Sequence, residues 1–325
     1  MLTWALLAGG AWLAERLPGR PLYAAGRMVA LLLAALPSAP RARLRRNLAR
    51  ATQLPLESPR LNTLVLRVYR TQVQNYLDLL RTRRASPAVA AARVRQTGPG
   101  WQSFLEAARS GRGCVLVSAH FGRIELLNQF LAQFGLPMTL PVERITPPRL
   151  FELVCALRSH FGVKIVPRDT GVRPLLRALT RGDVVILFAD WDLTGQGIAV
   201  PLFGQPARLP PGPAFLALRG KAPLFVGVHL LEGVHGDAQG GARAARPVTD
   251  LAYMSAPLEL ERTGDIDADV RRGTERIAVE LERLIARHPE QWVMFHDVWA
   301  GNGSGVRESA PGPVTGPGAD TAAHL

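Results

Sequence analysis

The sequence predicts an α/β fold in which a single mixed, mainly parallel sheet is flanked by helices and preceded by an N-terminal membrane-associated helical segment. Short apolar runs alternate with segments of helical periodicity through the middle of the chain. Glycines stand where these helices are expected to end, at Gly162, Gly182 and Gly220. Strands and helices that alternate at this spacing are typical of a sheet covered on both faces.

The individual elements follow from the same periodicities. A strand is expected from Val115 to His120, and the remaining strands are expected at 138–142, 163–166, 184–189, 223–230 and near 292–295. Helices are expected at 59–83, 101–110, 148–161, 172–181, 213–219 and 266–287. The glycine-rich residues 232–247 indicate a loop between two of these elements.

The first forty residues predict two apolar helices that lie in or on a membrane. Residues 1–14 carry no charge, and residues 21–40 carry a single arginine. A spanning helix needs about 20 apolar residues, a length that neither stretch reaches cleanly. Two alternatives stay open: a single span formed by residues 21–40, and a buried helical hairpin.

The charge of the chain is concentrated after these helices. The net charge is +13, and residues 41–95 hold thirteen arginines against Glu57 and Asp78. We therefore divide the chain into an apolar segment (1–40), a basic helical segment (41–100), an α/β domain (101–300) and a disordered tail (301–325). Such a basic segment suits an anionic membrane surface or a nucleic acid.

A histidine and a carboxylate follow the first predicted strand of the α/β domain. His120 stands at the end of that strand, and Glu125 falls in the first turn of the next helix. On one straight helix, residues five apart lie about 140° from each other. They can meet only if His120 is on the strand end and Gly122 allows a sharp bend. The pair predicts a general base held by a carboxylate, with a helix-capping histidine as the alternative.

The spacing from His120 to Glu125 resembles the His-x-x-x-x-Asp/Glu motif of glycerolipid and lipid A acyltransferases. Other stretches resemble, in the same order, the late lipid A acyltransferases and the phosphatidylinositol mannoside acyltransferases. These stretches are Glu143-Arg144, the basic segment from Arg158 to Arg168, residues 188–192 with 201–204 and 211–214, and residues 288–292 with 295–296. The resemblance therefore covers residues 115–299.

The resemblance implies roles for three side chains in catalysis. His120 would take the proton from an acceptor hydroxyl as that oxygen attacks an acyl thioester. Glu125 would orient the imidazole. Asp190 ends its own predicted strand and could approach the same ring, so either carboxylate remains a candidate partner. Without the resemblance, Asp190 would equally suit a turn or a helix cap.

The resemblance also implies a set of substrate-binding arginines. Arg144, Arg158 and Arg168 are candidates to bind phosphates, because the guanidinium group presents a rigid fork of donors. The implied donor is acyl carrier protein or coenzyme A carrying a fatty acyl chain. The implied acceptor is a hydroxyl of a lysophospholipid or of a glycolipid, of the lipid A precursor or phosphatidylinositol mannoside type.

The expected location is the cytoplasmic face of the inner (plasma) membrane, and the membrane surface is an expected partner.

We expect no metal or organic cofactor and no nucleic-acid partner. The sequence contains no Gly-x-Ser-x-Gly, His-Glu-x-x-His or paired Cys-x-x-Cys motif, which argues against a serine hydrolase and a zinc site. The alternative function is a non-catalytic membrane or nucleic-acid binding protein that uses residues 41–95.

Overall fold

A computed structural model describes residues 9–10, 12, 14–232 and 249–299. Its strands are β1 (Val94–Thr97), β2 (Cys114–Ser118), β3 (Met138–Val142), β4 (Val163–Pro167), β5 (Val184–Phe188), β6 (Ile198–Leu202), β7 (Gln205–Leu209), β8 (Leu224–Glu232) and β9 (Thr249–Met254). Its helices are α1 (Gly19–Ala35), α2 (Ala39–Thr52), α3 (Pro59–Leu80), α4 (Pro87–Arg93), α5 (Trp101–Arg109), α6 (Ile124–Ala132), α7 (Pro148–Ser159), α8 (Arg173–Thr180), α9 (Gly212–Arg219) and α10 (Ile266–Arg287).

A seven-stranded sheet with the order β1-β9-β8-β2-β5-β3-β4 organises the chain. Strands β8, β2, β5, β3 and β4 run parallel to one another, and β9 pairs with β8 in the antiparallel sense. Strand β1 continues the sheet parallel to β9. The predicted fold class, a mixed and mainly parallel sheet flanked by helices, is therefore confirmed.

Both faces of the sheet are covered, as a parallel sheet requires. Every residue of β2 is buried. Val115 and Val117 point into the core beneath α9 and α10, whereas Cys114 and Leu116 point into the core beneath α5 and α6. Successive side chains of a strand face opposite sides, so β2 contributes to both cores.

The N-terminal helices form a third core of their own. Leu44 and Leu48 of α2 are fully buried against α3, so the arginine-rich helix α2 has one apolar face that packs into this core. Among the described residues no helix alone is long and apolar enough to cross a membrane. Helices α1 and α2 meet that test only as a pair, with a bend of 84° between them.

The predicted strand near 292–295 is wrong. Trp292, which follows the short 3-10 turn Pro289–Gln291, is extended, but among the described residues this segment forms only one isolated bridge, between Phe121 and Trp292. The N–H of Val293 donates to the carbonyl of His120 at 2.7 Å. This apolar segment packs across the end of β2, so it is buried without lying in register with a strand.

Other elements were not predicted at all. Strand β1 lies within the segment predicted to be helical (41–100), and β9 follows the predicted loop. A separate hairpin joins β6 and β7 through Phe203 and Gly204, which both have positive φ. The loop prediction for 233–247, the tail 301–325 and most of the first apolar stretch lie outside the described residues.

Candidate active site

The register between two neighbouring strands brings His120 and Asp190 together. Strands β2 and β5 pair in parallel with Ser118 opposite Phe188. His120 and Asp190 each lie two residues beyond these partners, at the carboxyl edge of the sheet. The Ala189 N–H also donates to the Ser118 carbonyl at 3.0 Å, which continues the pairing to the site. Open α/β sheets usually place their ligands at this edge.

The Asp190 carboxylate binds the ring of His120 directly. Its Oδ1 lies 3.0 Å from Nδ1 of the imidazole, and its Oδ2 accepts the backbone N–H of His120 at 2.8 Å. The indole Nε1 of Trp292 donates to the same Oδ2 at 3.0 Å. A carboxylate can only accept, so Nδ1 carries the proton and Nε2 keeps a free lone pair.

The two side chains differ in exposure, and their pKa values are shifted in opposite directions. The Asp190 side chain is 1% exposed and the His120 side chain is 43% exposed. Burial alone would lower the pKa of His120, but the Asp190 charge and hydrogen bond raise that pKa above its ordinary value. Burial alone would raise the pKa of Asp190, but the His120 charge and bonds lower it. Asp190 therefore stabilises the imidazolium that forms when His120 takes up a proton.

The turn that carries His120 is held on several sides. Gly122 has a φ of 59°, and a Cβ there would lie 2.3 Å from the carbonyl oxygen of His229. The Gly122 N–H donates to the carbonyl of Gln291 at 2.8 Å, and the Asn75 Nδ2 donates to the Gly122 carbonyl at 2.9 Å. These contacts leave little freedom to the backbone between β2 and α6.

Glu125 lies in the first turn of α6, as predicted, but its carboxylate does not contact the imidazole. Its Oε1 accepts from Arg158 Nε at 3.2 Å and Nη2 at 3.0 Å, and its Oε2 lies 3.5 Å from Asn128 Nδ2. Of the two candidate partners, the structure therefore places Asp190 against His120. Glu125 pairs with one of the predicted substrate-binding arginines instead.

A cavity of about 730 Å³ opens beside His120. Its wall is formed mostly by apolar side chains of α3, β3, α7, β4, α8 and the loop after β5. The acidic, basic and histidine side chains that line it are Glu125, Glu143, Arg158, Arg168, His120 and His296. A volume and lining of this kind suit a ligand with a large apolar part and a few polar groups.

Only two of the three predicted substrate-binding arginines line the cavity in the structure. Arg158 and Arg168 line the cavity, whereas Arg144 is absent from the lining residues. The Arg144 side chain is 59% exposed and its Nε pairs with Asp169 at 2.7 Å. Its guanidinium also lies over the Phe151 ring, 5.7 Å from the centroid. Arg144 is not part of the cavity wall, and its role in substrate binding stays a prediction.

Three further side chains support the surroundings of the dyad. Trp292 holds Asp190, Asn75 holds the histidine turn, and His296 stacks on Trp191 with a centroid separation of 3.7 Å. Burial first, and then the nearby His120 charge, lower the pKa of His296. Trp292 and His296 belong to the closing motif, residues 288–292 with 295–296, on which part of the resemblance rests. The motif indicated that this segment matters, but it did not indicate which residues these two side chains contact.

Comparison with known proteins places the chain in a family. A model of bacterial lipid A biosynthesis acyltransferases matches residues 1–300. The chain belongs to this family. Among its relatives, a phosphatidylinositol mannoside acyltransferase of Mycolicibacterium smegmatis is 30% identical over 207 residues, or 62% of each chain. A lipid A biosynthesis acyltransferase of Haemophilus influenzae is 22% identical over 198 residues, or 60% of this chain and 56% of the relative.

The matches to these curated relatives cover part of each chain. The Mycobacterium tuberculosis phosphatidylinositol mannoside acyltransferase is 31% identical over 205 residues, 62% of this chain and 59% of the relative. The chain thus spans about three fifths of the length of these curated relatives. A solved 1-acyl-sn-glycerophosphate acyltransferase from Thermotoga maritima aligns over 80% of this chain and 98% of its own, with 11% identity and a TM-score of 0.35.

Proposed function

We propose that the protein is a membrane-associated acyltransferase that moves a fatty acyl chain from a thioester to a lipid hydroxyl. The observation that carries the proposal is the His120–Asp190 pair at the edge of a largely apolar cavity. The pair supplies a base with a fixed tautomer, and the cavity supplies a surface for an acyl chain. The family to which the chain belongs carries the name of the same reaction class.

The reaction follows from the tautomer of His120. Its Nε2 accepts the proton of the acceptor hydroxyl as that oxygen forms a bond to the thioester carbonyl carbon. The tetrahedral intermediate then collapses, the carbon–sulfur bond breaks and the proton on the imidazolium passes to the departing thiolate. Asp190 stays ionised throughout and stabilises the imidazolium.

Arg168 is the cavity cation best suited to a substrate phosphate. Arg158 is partly neutralised by Glu125, whereas Arg168 lines the cavity and forms no ion pair with another residue in the part of the chain that the structure describes. A guanidinium can bind two phosphate oxygens at once. The phosphate would come from the acyl carrier protein or coenzyme A donor, or from the acceptor lipid.

We propose a glycolipid acceptor of the phosphatidylinositol mannoside type. The relatives with 30% and 31% identity carry that name, whereas the lipid A biosynthesis relative is 22% identical. The segment from Asp192 to Gly197, followed by 201–204, also resembles the mannoside branch. A lipid A precursor or a lysophospholipid is the alternative acceptor.

The exposed face of α1 supports attachment to the membrane. The face against α3 carries small buried residues, whereas the outer face carries large apolar ones. The small residues are Gly26, Ala30 and Ala34, and the large exposed ones include Met28, Val29 and Leu32. An apolar helix face beside an arginine-rich helix suits an anionic membrane interface. We propose the cytoplasmic face of the inner (plasma) membrane as the location.

The catalytic proposal is tested by acyl transfer with purified protein. Acyl-coenzyme A and acyl carrier protein donors would be offered in separate reactions, with mannosylated phosphatidylinositol, lipid A precursor or lysophospholipid as acceptor, and products identified by mass spectrometry. His120→Ala should lower transfer by at least about a hundredfold, the contribution of a general base. His160→Ala, which changes an exposed histidine at the end of α7, should leave transfer unchanged. Equal rates in the two variants would refute the mechanism.

The membrane proposal is tested by sedimentation with anionic vesicles at high salt, which screens charge but not apolar burial. Leu32→Glu places a charge on the outer face of α1, where Leu32 is 57% exposed, and should lower vesicle binding by more than about tenfold. The matched control is Val279→Glu, because Val279 is 69% exposed on α10. Attachment through α1 is wrong if Leu32→Glu binds as well as this control.

A further inference from the structure

A buried ion pair joins the turn after His120 to helix α3. Arg123 follows Gly122 in that turn. Its guanidinium binds both carboxylate oxygens of Asp78, with Nε–Oδ2 and Nη2–Oδ1 distances of 2.8 Å. Both side chains are buried. A two-point contact of this kind determines orientation as well as distance, so the pair limits where the turn can lie relative to α3.

A second set of contacts holds the backbone of the same arginine. The Arg123 N–H donates to Nδ1 of His229 at 2.9 Å, and Nε2 of His229 lies 3.1 Å from Asp250 Oδ1. A backbone N–H only donates, so Nδ1 must accept and His229 carries its proton on Nε2. Burial lowers the pKa of His229, which keeps it neutral. Arg93 binds the other oxygen of Asp250 at 2.9 Å, so cations and carboxylates balance in this network.

Tyr23 connects the ion pair to α1. Its hydroxyl donates to Asp78 Oδ1. Burial first, and then the Asp78 charge, raise the pKa of Tyr23 far above its ordinary value, so the phenol remains a neutral donor. Beside this contact, Gly26 of α1 packs so closely on α3 that an added Cβ would lie 2.7 Å from Leu77 Cδ1. The helix with the exposed apolar face therefore reaches the ion pair directly.

We propose that Asp78 and Arg123 are positioning residues for His120, and that Tyr23 makes their geometry depend on how α1 docks against α3. The inference rests on the proposed function, in which Nε2 of His120 accepts a proton. It extends that function by connecting the helix proposed to lie in the membrane to the turn that carries the base.

The position of α3 explains how such a connection acts on the site. One side of α3 contributes Asn75 to the cavity wall and to the Gly122 carbonyl, and the adjoining side contributes Asp78 to Arg123. A shift of α3 would therefore move both supports of the turn together. Asp190 would not follow, because it is held at the end of β5 by Trp292. The shift would change the 3.0 Å contact between the imidazole and its carboxylate.

The test compares two buried aspartates that each pair with an arginine. Asp78→Asn weakens the pair at the histidine turn, whereas Asp269→Asn weakens the pair with Arg272 on α10, and the bonds of Asp269 go to Arg272 and Thr263 rather than to that turn. Both variants should lose stability in urea denaturation. Only Asp78→Asn should lower kcat, by about tenfold to a hundredfold, with KM within about twofold of the native value. Equal kcat in the two variants would show that the Asp78 pair only stabilises the fold.

A milder pair of variants covers the case in which Asp78→Asn does not fold. Tyr23→Phe removes the hydroxyl that binds Asp78. Tyr69→Phe removes the hydroxyl of a largely buried tyrosine on α3, and that hydroxyl bonds no other residue in the described part of the chain. On anionic vesicles Tyr23→Phe should lower kcat about threefold or more, the order of one hydrogen bond, whereas Tyr69→Phe should not change it. Identical kcat in both variants would refute the role of Tyr23.

Nitrogen-15 NMR of the histidine ring separates this proposal from the proposed function. The ring nitrogen shifts and the pKa of His120 report its contact with Asp190 whether or not any acyl transfer is found. Asp78→Asn and Tyr23→Phe should change both quantities, and Asp269→Asn should change neither. If native protein transfers no acyl chain but the shifts move as expected, the positioning holds and the function fails. If the shifts stay native in both network variants, the positioning is refuted.

Discussion

Replacing Asp190 with asparagine should abolish the base without disturbing the fold. The two donors that bind Oδ2, the His120 backbone N–H and the Trp292 indole, can bind the amide oxygen of asparagine in the same place. The amide nitrogen then faces Nδ1 of the imidazole, where Asp190 Oδ1 lies at 3.0 Å in the native protein. An amide NH2 only donates, so Nδ1 must accept and the ring proton moves to Nε2.

The size of the effect follows from this change of tautomer. A protonated Nε2 has no lone pair for the acceptor hydroxyl, so the variant loses the general base. That contribution is typically about 10²–10⁴-fold, which corresponds to about 3–5 kcal/mol of transition-state stabilisation.

The pH profile of the acyl-transfer rate should change as well. Asp190 raises the pKa of His120, so its loss should move the acid limb of the remaining activity to lower pH.

The assay is the initial rate of acyl transfer measured across the pH range in which histidine titrates. Asp183→Asn is the matched control, because Asp183 is buried at the opposite end of the same strand and bonds Thr139 at 2.8 Å. It should keep the native acid limb. An Asp190→Asn variant with near-native rates, or with an acid limb at higher pH, would refute the assignment of the base and its partner.

Two other substitutions test the surroundings of the dyad. Glu125→Gln should lower turnover by about tenfold while leaving the acid limb in place, because Glu125 contacts Arg158 rather than the imidazole; a shifted limb in the pH–rate profile would contradict this. Gly122→Ala should cost more than about 2 kcal/mol in urea denaturation, since φ is 59° and the added Cβ would meet a carbonyl oxygen at 2.3 Å. Gly135→Ala, with φ 63° and no neighbour within 4 Å, should cost only about 1–2 kcal/mol, and equal losses would argue against steric crowding at Gly122.

Local patterns in the sequence were sufficient to locate the elements that carry the site. The run after Cys114 predicts β2 and places His120 at its carboxyl end, because a buried strand needs an uninterrupted apolar segment. The helical periodicity of 266–287 matches the bounds of α10. The same reasoning failed at 292–295, where an apolar segment is buried by packing across a strand end. A buried segment is apolar whether it pairs as a strand or packs across a strand end, so an apolar run does not distinguish the two.

The partner of His120 depended on strand order. Glu125 is five residues from His120 and Asp190 is seventy residues away, so the sequence alone left both open. Only the register of β2 against β5 places Asp190 at the imidazole. That register depends on which strands neighbour each other, a property of the whole sheet that no local window of residues contains.

For Asp78, too, the sequence shows the charged group but not its partner. It is buried on α3 next to Leu79, and a buried carboxylate needs a cation or hydrogen-bond donors as partners. Its partner Arg123 is 45 residues away and lies among many other arginines in the sequence. The sequence by itself determined the secondary structure and the chemical groups available, because these depend on local periodicity and residue type. Only the tertiary structure decided which groups meet, because each pairing depends on how distant elements pack.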